Sequence, residues 1–273
     1  MTRKLANTGL IMPKKICQVI FSTNRIEYLT TTLKSLDKLD CSGFEVHRIF
    51  IDDFPKGRND RVISTLAKAF GFHEQYLHTV NKGLTVTWTE FWNLIRDRDY
   101  DYIWHMEDDI EIIESVPLQD MVNLLEQDPD LSQVKLERQA WYWHEKEPEA
   151  LDTDWTFKNY RYRKGDPLFS LMASLYSMDR VRYNYSEWFA INCPGEGLEN
   201  INYNEGMVGL VLANDLKKVS GVLKTQHGKN MVRHIGEYCV GQRVLPNEPN
   251  YDQFAKFDPE KRYYSSTGEE YPD

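Results

Sequence analysis

Tyr100-Asp101-Tyr102-Ile103-Trp104-His105-Met106-Glu107-Asp108-Asp109-Ile110-Glu111-Ile112-Ile113 is a short apolar run that meets three consecutive acids. Tyr102, Ile103, Trp104 and Met106 read as a buried strand. Glu107, Asp108 and Asp109 then fall where a parallel strand leaves the carboxyl edge of its sheet, the usual ligand position in α/β folds. Adjacent carboxylates repel one another, so two readings stand. Either the acids form a solvated turn, or a cation, alone or carrying phosphates, sits among them. Hard carboxylate oxygens suit Mg²⁺ or Mn²⁺.

The residues before this stretch are regular. Ile16 to Phe21 is a β-branched and aromatic run of strand length, followed by the polar Ser22-Thr23-Asn24-Arg25. Ile26, Leu29, Leu33 and Leu36 recur at helical spacing, with Thr23 or Asn24 as the expected N-cap. Val46 to Ile51 is the next strand and ends in Asp52-Asp53. After the turn at Pro55-Lys56-Gly57, Val62, Leu66, Ala69 and Phe70 mark a second helix that Gly71 stops. Glu74 to Thr79 is a third strand, Asn81-Lys82-Gly83-Leu84 a turn, and Val86 to Ile95 a helix that feeds the acidic strand. Strands alternating with helices through short connections predict right-handed parallel crossovers and a nucleotide-binding architecture. Neither GxGxxG nor GxxxxGK[ST] occurs, so phosphate must be held in another way. A metal on the acids 107 to 109 supplies one.

Composition narrows the partners. With 42 acids against 33 Lys and Arg the net charge is −9, which argues against a broad nucleic-acid footprint and for small molecules or neutral polymers. Cys17, Cys41, Cys193 and Cys239 form no CxxC pair, so neither a zinc site nor a disulfide framework is expected, and a reducing, cytoplasmic setting is. No run of 18 apolar residues occurs, and no transmembrane segment is expected.

Four features in order carry a family resemblance. Gln18 to Leu29 with the following Leu33-Lys34-Ser35-Leu36 resembles the opening of family 2-type glycosyltransferases with the A-type fold. These begin with an apolar strand, Thr-x-Asn-Arg or close to it, and a helix ending in Ser-Leu. Phe50-Ile51-Asp52-Asp53 resembles their second strand with its terminal Asp pair, and Asn81-Lys82-Gly83 their Asn-x-Gly turn. Glu107-Asp108-Asp109 resembles their DxD metal motif, with Glu in place of the first Asp. The resemblance covers residues 16 to 115 well and the remainder loosely. It implies a single α/β domain over 1–245, with a mostly parallel central sheet flanked by helices. A nucleotide-sugar half near 16–115 would be followed by an acceptor half near 116–245 and an irregular tail at 246–273. It also implies a metal-dependent transfer of a sugar from a UDP or GDP donor to a hydroxyl acceptor, with Mn²⁺ or Mg²⁺ as cofactor and inversion by a carboxylate base.

Each matched position inherits a role from that resemblance. Thr23 and Arg25 would line the nucleotide pocket, together with Asn81 and Lys82. Asp52 or Asp53 would accept a hydrogen bond from base or ribose. Asp109 would coordinate the metal, and Asp108 or Glu107 would contact ribose or a metal-bound water. Glu is one methylene longer than Asp, so Glu107 is expected to reach the metal through water.

The second half is less regular. Leu118, Met121, Val122 and Leu125 have helical spacing, broken at Asp128-Pro129-Asp130, and Ser132 to Glu137 reads as a strand. Trp141-Tyr142-Trp143-His144 is either a platform for an acceptor sugar, with Trp141 and Trp143 stacking on it, or a loop packed by its own aromatics. Glu145 to Asp166 reads as a hairpin or a loop over the site. Pro167 to Ser177 resembles the strand that brings the acceptor side to the donor. Glu196, Glu199 and Glu205 lie on a glycine-rich segment before an expected helix from Met207 to Val219. By resemblance Glu205 at its start is the general base, with Glu199 next; the competing reading is a first-turn acid favoured by the helix dipole. His234, with His227 second, resembles the late His of this fold that serves as a third metal ligand or a diphosphate contact; the competing reading is a structural histidine. Two other classes remain at this level: a nucleotidyltransferase on a similar fold, which would need a glycine-rich basic loop after the first strand, and an inactive carbohydrate-binding protein.

Overall fold

The computed structural model describes residues 12–53, 60–80, 82–137, 154–166, 172–181, 219–225 and 230–235. In chain order the elements are β1 (Lys15–Ser22), α1 (Ile26–Ser35) with a 3₁₀ turn at Leu36–Lys38, β2 (Leu39–Asp40), β3 (Glu45–Asp52), α2 (Asp60–Ala69) and β4 (Glu74–Leu77). They continue with α3 (Leu84–Ile95), β5 (Tyr102–Glu107), β6 (Ile110–Ile112), β7 (Val116–Pro117), α4 (Leu118–Gln127) and β8 (Leu131–Leu136). The last are β9 (Asp154–Phe157), β10 (Tyr160–Asp166), β11 (Ser174–Ser177), β12 (Val219–Thr225) and β13 (Val232–His234). The segment from Glu145 to Asp166 thus ends in a hairpin, β9 paired antiparallel with β10.

Among the described residues nine strands form one sheet in the order β4-β3-β1-β5-β11-β8-β12-β10-β9. The first four are parallel, as the alternation of strands and helices predicts, and so is the β8–β12 pair. β11 enters antiparallel between β5 and β8, joining the sheet's two halves.

Strand alternation splits the core into two layers. Ile16 and Ile20 of β1 and Tyr102, Trp104 and Met106 of β5 pack on one face, covered by Leu29 and Leu33 of α1, Ile63 and Ala67 of α2, and Met121, Val122 and Leu125 of α4. Cys17, Val19 and Phe21 of β1 and Ile103 of β5 point to the other, where Trp88, Phe91, Trp92 and Ile95 of α3 cover them. A parallel strand covered on both faces is apolar at nearly every position, which is how β1 and β5 read. α2 ends as expected: Gly71 takes φ +85°, and a Cβ there would lie 2.7 Å from Arg48 Nη1. The start of α1 differs from expectation. Its N-cap is Arg25, not Thr23 or Asn24, with no side-chain cap hydrogen bond. Asn24 sits at φ +62°, because the turn is pinned from neighbouring strands: its N–H donates to Asp52 Oδ1 (2.8 Å). No helix among the described residues is long and apolar enough to cross a membrane, and Cys17 and Cys41 are free thiols.

Ile20 lies at the centre of the parallel half, fully buried. Ile20→Ala should therefore cost about 2–5 kcal/mol in urea unfolding through lost transfer energy and the cavity left behind. An exposed α2 position, Val62→Ala, should change stability by no more than about 0.5 kcal/mol.

Candidate functional site

β1, β3 and β5 end side by side, because their registers pair Ser22 with Asp52 and Phe21 with Glu107. The polar residues that follow each strand, at 22–25, 52–53 and 107–109, therefore meet at one carboxyl edge. Backbone bonds lock the junction: Asp53 N–H donates to Ser22 O (2.9 Å) and Asp108 N–H to Phe21 O (2.9 Å).

The three acids take different environments. Asp108 is 1% exposed. Its Oδ2 accepts from Ser22 Oγ (2.9 Å) and Thr23 N–H (3.0 Å), its Oδ1 accepts from Arg25 Nη2, and its carbonyl accepts from Thr32 Oγ1 (2.7 Å). Both oxygens are committed to the turn between β1 and α1. Asp109 shares the same guanidinium, with Oδ2 at 2.8 Å from Arg25 Nη1. Its Oδ1 is buried, accepts no hydrogen bond among the described residues, and lies 3.8 Å from His234 Nε2. Glu107 is partly exposed beside it.

His234 arrives from more than a hundred residues away. β13 pairs antiparallel with β6, placing His234 opposite Ile110, and Ile235 N–H donates to Asp109 O (2.7 Å). Ligand atoms of Glu107, Asp109 and His234 lie within 4.8 Å of one another. Two carboxylates and an imidazole, one carboxylate oxygen buried without a hydrogen bond, fit a divalent cation.

Electrostatics separates the neighbouring aspartates. Burial pushes the Asp108 carboxyl above the ordinary aspartate range despite Arg25. Burial acts on Asp109 too, but Arg25 and His234 outweigh it and hold that carboxyl below the range. Arg25 in turn stacks over Tyr28, 5.3 Å from the ring centroid.

The Asp pair after β3 is buried as well. Asp52 Oδ1 accepts from Asn24 N–H, and Asp53 Oδ1 accepts from Lys82 N–H (2.9 Å) and His78 Nδ1 (2.8 Å). Thr23, Arg25, Asp52, Asp53, Lys82, Glu107, Asp108, Asp109 and His234 are thus gathered at one edge. Asn81, Trp141, Trp143, His227, Glu196, Glu199 and Glu205 lie outside the described residues, as does the expected helix after Met207 apart from Val219, which opens β12. Two site residues escaped the sequence reading. His78 carries no motif and falls inside the strand read from Glu74 to Thr79, whereas β4 ends at Leu77 and leaves it at the edge that holds Asp53; Glu90 reads as a polar position on a mostly apolar helix.

The geometry predicts what loss of Arg25 does. Arg25→Gln strands Asp108 in the core without its counter-charge, and breaking a buried pair from one side costs about 3–5 kcal/mol. Chemical denaturation should show that loss, and adding Asp108→Asn to the variant should recover part of it.

No family model matches the sequence, and no curated protein is similar enough in sequence to be matched. Solved structures do match. S. aureus TarS superposes with a TM-score of 0.51 at 14% identity, over 80% of this chain and 36% of that one. S. aureus TarS 1-349 in complex with UDP gives 0.52 at 14% identity, over 83% of this chain and 63% of that one. GalNAc-T7 with UDP, GalNAc and Mn²⁺ gives 0.54 at 10% identity, over 82% of this chain and 44% of that one. The chain therefore spans between about a third and two thirds of these proteins. At such identities the likeness is one of architecture, and with the parallel β4-β3-β1-β5 half and the acidic strand end it shows that this chain has the A-type glycosyltransferase fold.

Proposed function

We propose that this protein is a metal-dependent glycosyltransferase that moves a sugar from a nucleoside diphosphate donor, UDP- or GDP-linked, to a hydroxyl of a glycan or similar acceptor. The observation that carries this reading is the cluster of Glu107, Asp109 and His234 at the carboxyl end of the central parallel strands, with Asp109 Oδ1 buried and accepting no hydrogen bond among the described residues. Two structures that share the fold hold UDP, one of them with Mn²⁺, which supports the same kind of donor here.

Breaking the bond between the sugar and the diphosphate leaves negative charge on the leaving group. A Mn²⁺ or Mg²⁺ ion held by Glu107, Asp109 and His234 would neutralise that charge more strongly in the transition state than in the ground state. Of the two ions, Mn²⁺ accepts an imidazole nitrogen more readily than the harder Mg²⁺. Asp108 serves differently. With both oxygens spent on Ser22, Thr23 and Arg25, it orders the turn that the nucleotide would meet. Asp53 has one oxygen committed to Lys82 and His78, and the second accepts no hydrogen bond among the described residues. A carboxylate oxygen there suits the ring N–H of uracil or guanine, whereas cytosine and adenine present an acceptor at the corresponding ring nitrogen.

On the acceptor side we assign Glu205 as general base, with Glu199 as the alternative, and Trp141 and Trp143 as the sugar platform. The acceptor oxygen attacks the anomeric carbon, its proton passes to the carboxylate, and the diphosphate leaves from the opposite face, which inverts the configuration.

Two measurements test this assignment. UDP or GDP should bind much more tightly with Mn²⁺ than with chelator by calorimetry, and Asp109→Asn should abolish that difference while the protein stays folded. Equal affinity with and without metal would overturn the metal role. Glu205→Gln should lower transfer by about 10² to 10⁴ with metal-dependent nucleotide binding intact. A variant that transfers normally would move the base to Glu199 or Glu196.

A further inference from the structure

Beside Asp53 lies a polar chain in which His78 and Glu90 have no role in the assignments above. His78 Nδ1 is 2.8 Å from Asp53 Oδ1, and its Nε2 is 3.3 Å from Oε2 of Glu90 on α3. Glu90 also holds Lys82 Nζ, at 2.6 and 2.8 Å, while the Lys82 backbone N–H donates to the same Asp53 Oδ1. The His78 backbone N–H donates to Asp52 O (2.9 Å). One imidazole thereby ties the end of β3 to the end of β4, to the Lys82-Gly83 turn and to α3. The side chain is largely buried, 12% exposed. The charged groups against it are Asp53 from β3, Glu90 from α3 and, through Glu90, Lys82 from the turn.

We propose that His78 is a positioning residue for donor binding, with Glu90 as its support. By occupying Oδ1 of Asp53 together with the Lys82 N–H, it fixes the rotation of that carboxylate and leaves Oδ2 as the oxygen offered to a nucleoside N–H. It also clamps the Lys82-Gly83 turn against α3, so the pocket wall and the base acceptor are set by the same contact. Glycine suits that turn, since Gly83 takes φ +77°. Preorganisation of this kind lowers the ordering cost that binding otherwise carries. The proposal rests on the reading that a nucleotide occupies the carboxyl edge of β1 and β3.

The test uses the whole chain and three variants: His78→Ala, His78→Gln and Glu90→Gln. Calorimetry with UDP and with GDP in Mn²⁺ should show affinity falling about ten-fold in both His78 variants, the size of one lost charge-assisted hydrogen bond, and less in Glu90→Gln. Binding of Mn²⁺ alone should be unchanged. In turnover the donor KM should rise while kcat stays within about two-fold of wild type. Amide hydrogen exchange should quicken at Lys82 in the His78 variants. Unchanged nucleotide affinity in both His78 variants, with only a lower melting temperature, would reduce His78 to a packing residue and overturn the proposal. A wild-type protein that binds no nucleotide would overturn the donor reading instead. The Lys82 amide would then decide the clamp alone, its rapid exchange in the variants upholding it and unchanged exchange removing it.

Discussion

A carboxylate that is 1% exposed must be hydrogen-bonded at both oxygens and balanced in charge, or the fold around it fails. Asp108 meets that condition with Ser22, Thr23 and Arg25, all from the turn between β1 and α1. The end of β5 is thereby tied to the end of β1, two segments more than eighty residues apart in sequence. Asp52 and Asp53 repeat the device one strand further out, accepting from Asn24, Lys82 and His78. Backbone donors left open at strand ends are satisfied by buried acids, and the acids are satisfied in return.

Within a single triplet, this arrangement separates an acid spent entirely on the fold from one that is not. Asp108 turns into the β1–α1 turn and is consumed there, while Asp109 reaches Arg25 with one oxygen and keeps the other beside His234. Glu107 lies beside them. The extra methylene of Glu107 does not keep it from the cluster: a carboxylate oxygen lies within 4.8 Å of the ligand atoms of Asp109 and His234. The pairing of β13 with β6 is what completes the group, since only that register brings His234 next to Asp109.

Much of this was legible in the sequence, for identifiable reasons. β1 and β5 are buried on both faces and read as continuous apolar runs, β3 is apolar and buried from Ile49 to Ile51, and α1 and α4 carry buried apolar residues at the helical spacing read; in α2 the buried positions are Ile63 and Ala67, while Val62 is exposed. Acids placed directly after such strands fall at a sheet edge by geometry alone. Other features rest on contacts between distant residues. The N-cap expectation at Thr23 or Asn24 failed because Asp52 and Asp108 hold that turn from neighbouring strands, leaving Arg25 at the cap position. The antiparallel entry of β11 between β5 and β8 follows from no local pattern, and neither does the bridge from His78 to Glu90. Glu199 and Glu205 remain assignments by resemblance, and Trp141 and Trp143 rest on the aromatic run alone; all four lie outside the described residues.

The central claim is that Glu107, Asp109 and His234 hold one divalent cation that serves a nucleoside diphosphate. Anomalous diffraction at the manganese edge, from crystals grown with Mn²⁺ and UDP or GDP, tests it directly. The account predicts one strong peak within coordination distance of all three side chains, with the diphosphate on its open side. A nucleotide bound at this edge without a peak there, or a peak held by other residues, would contradict it.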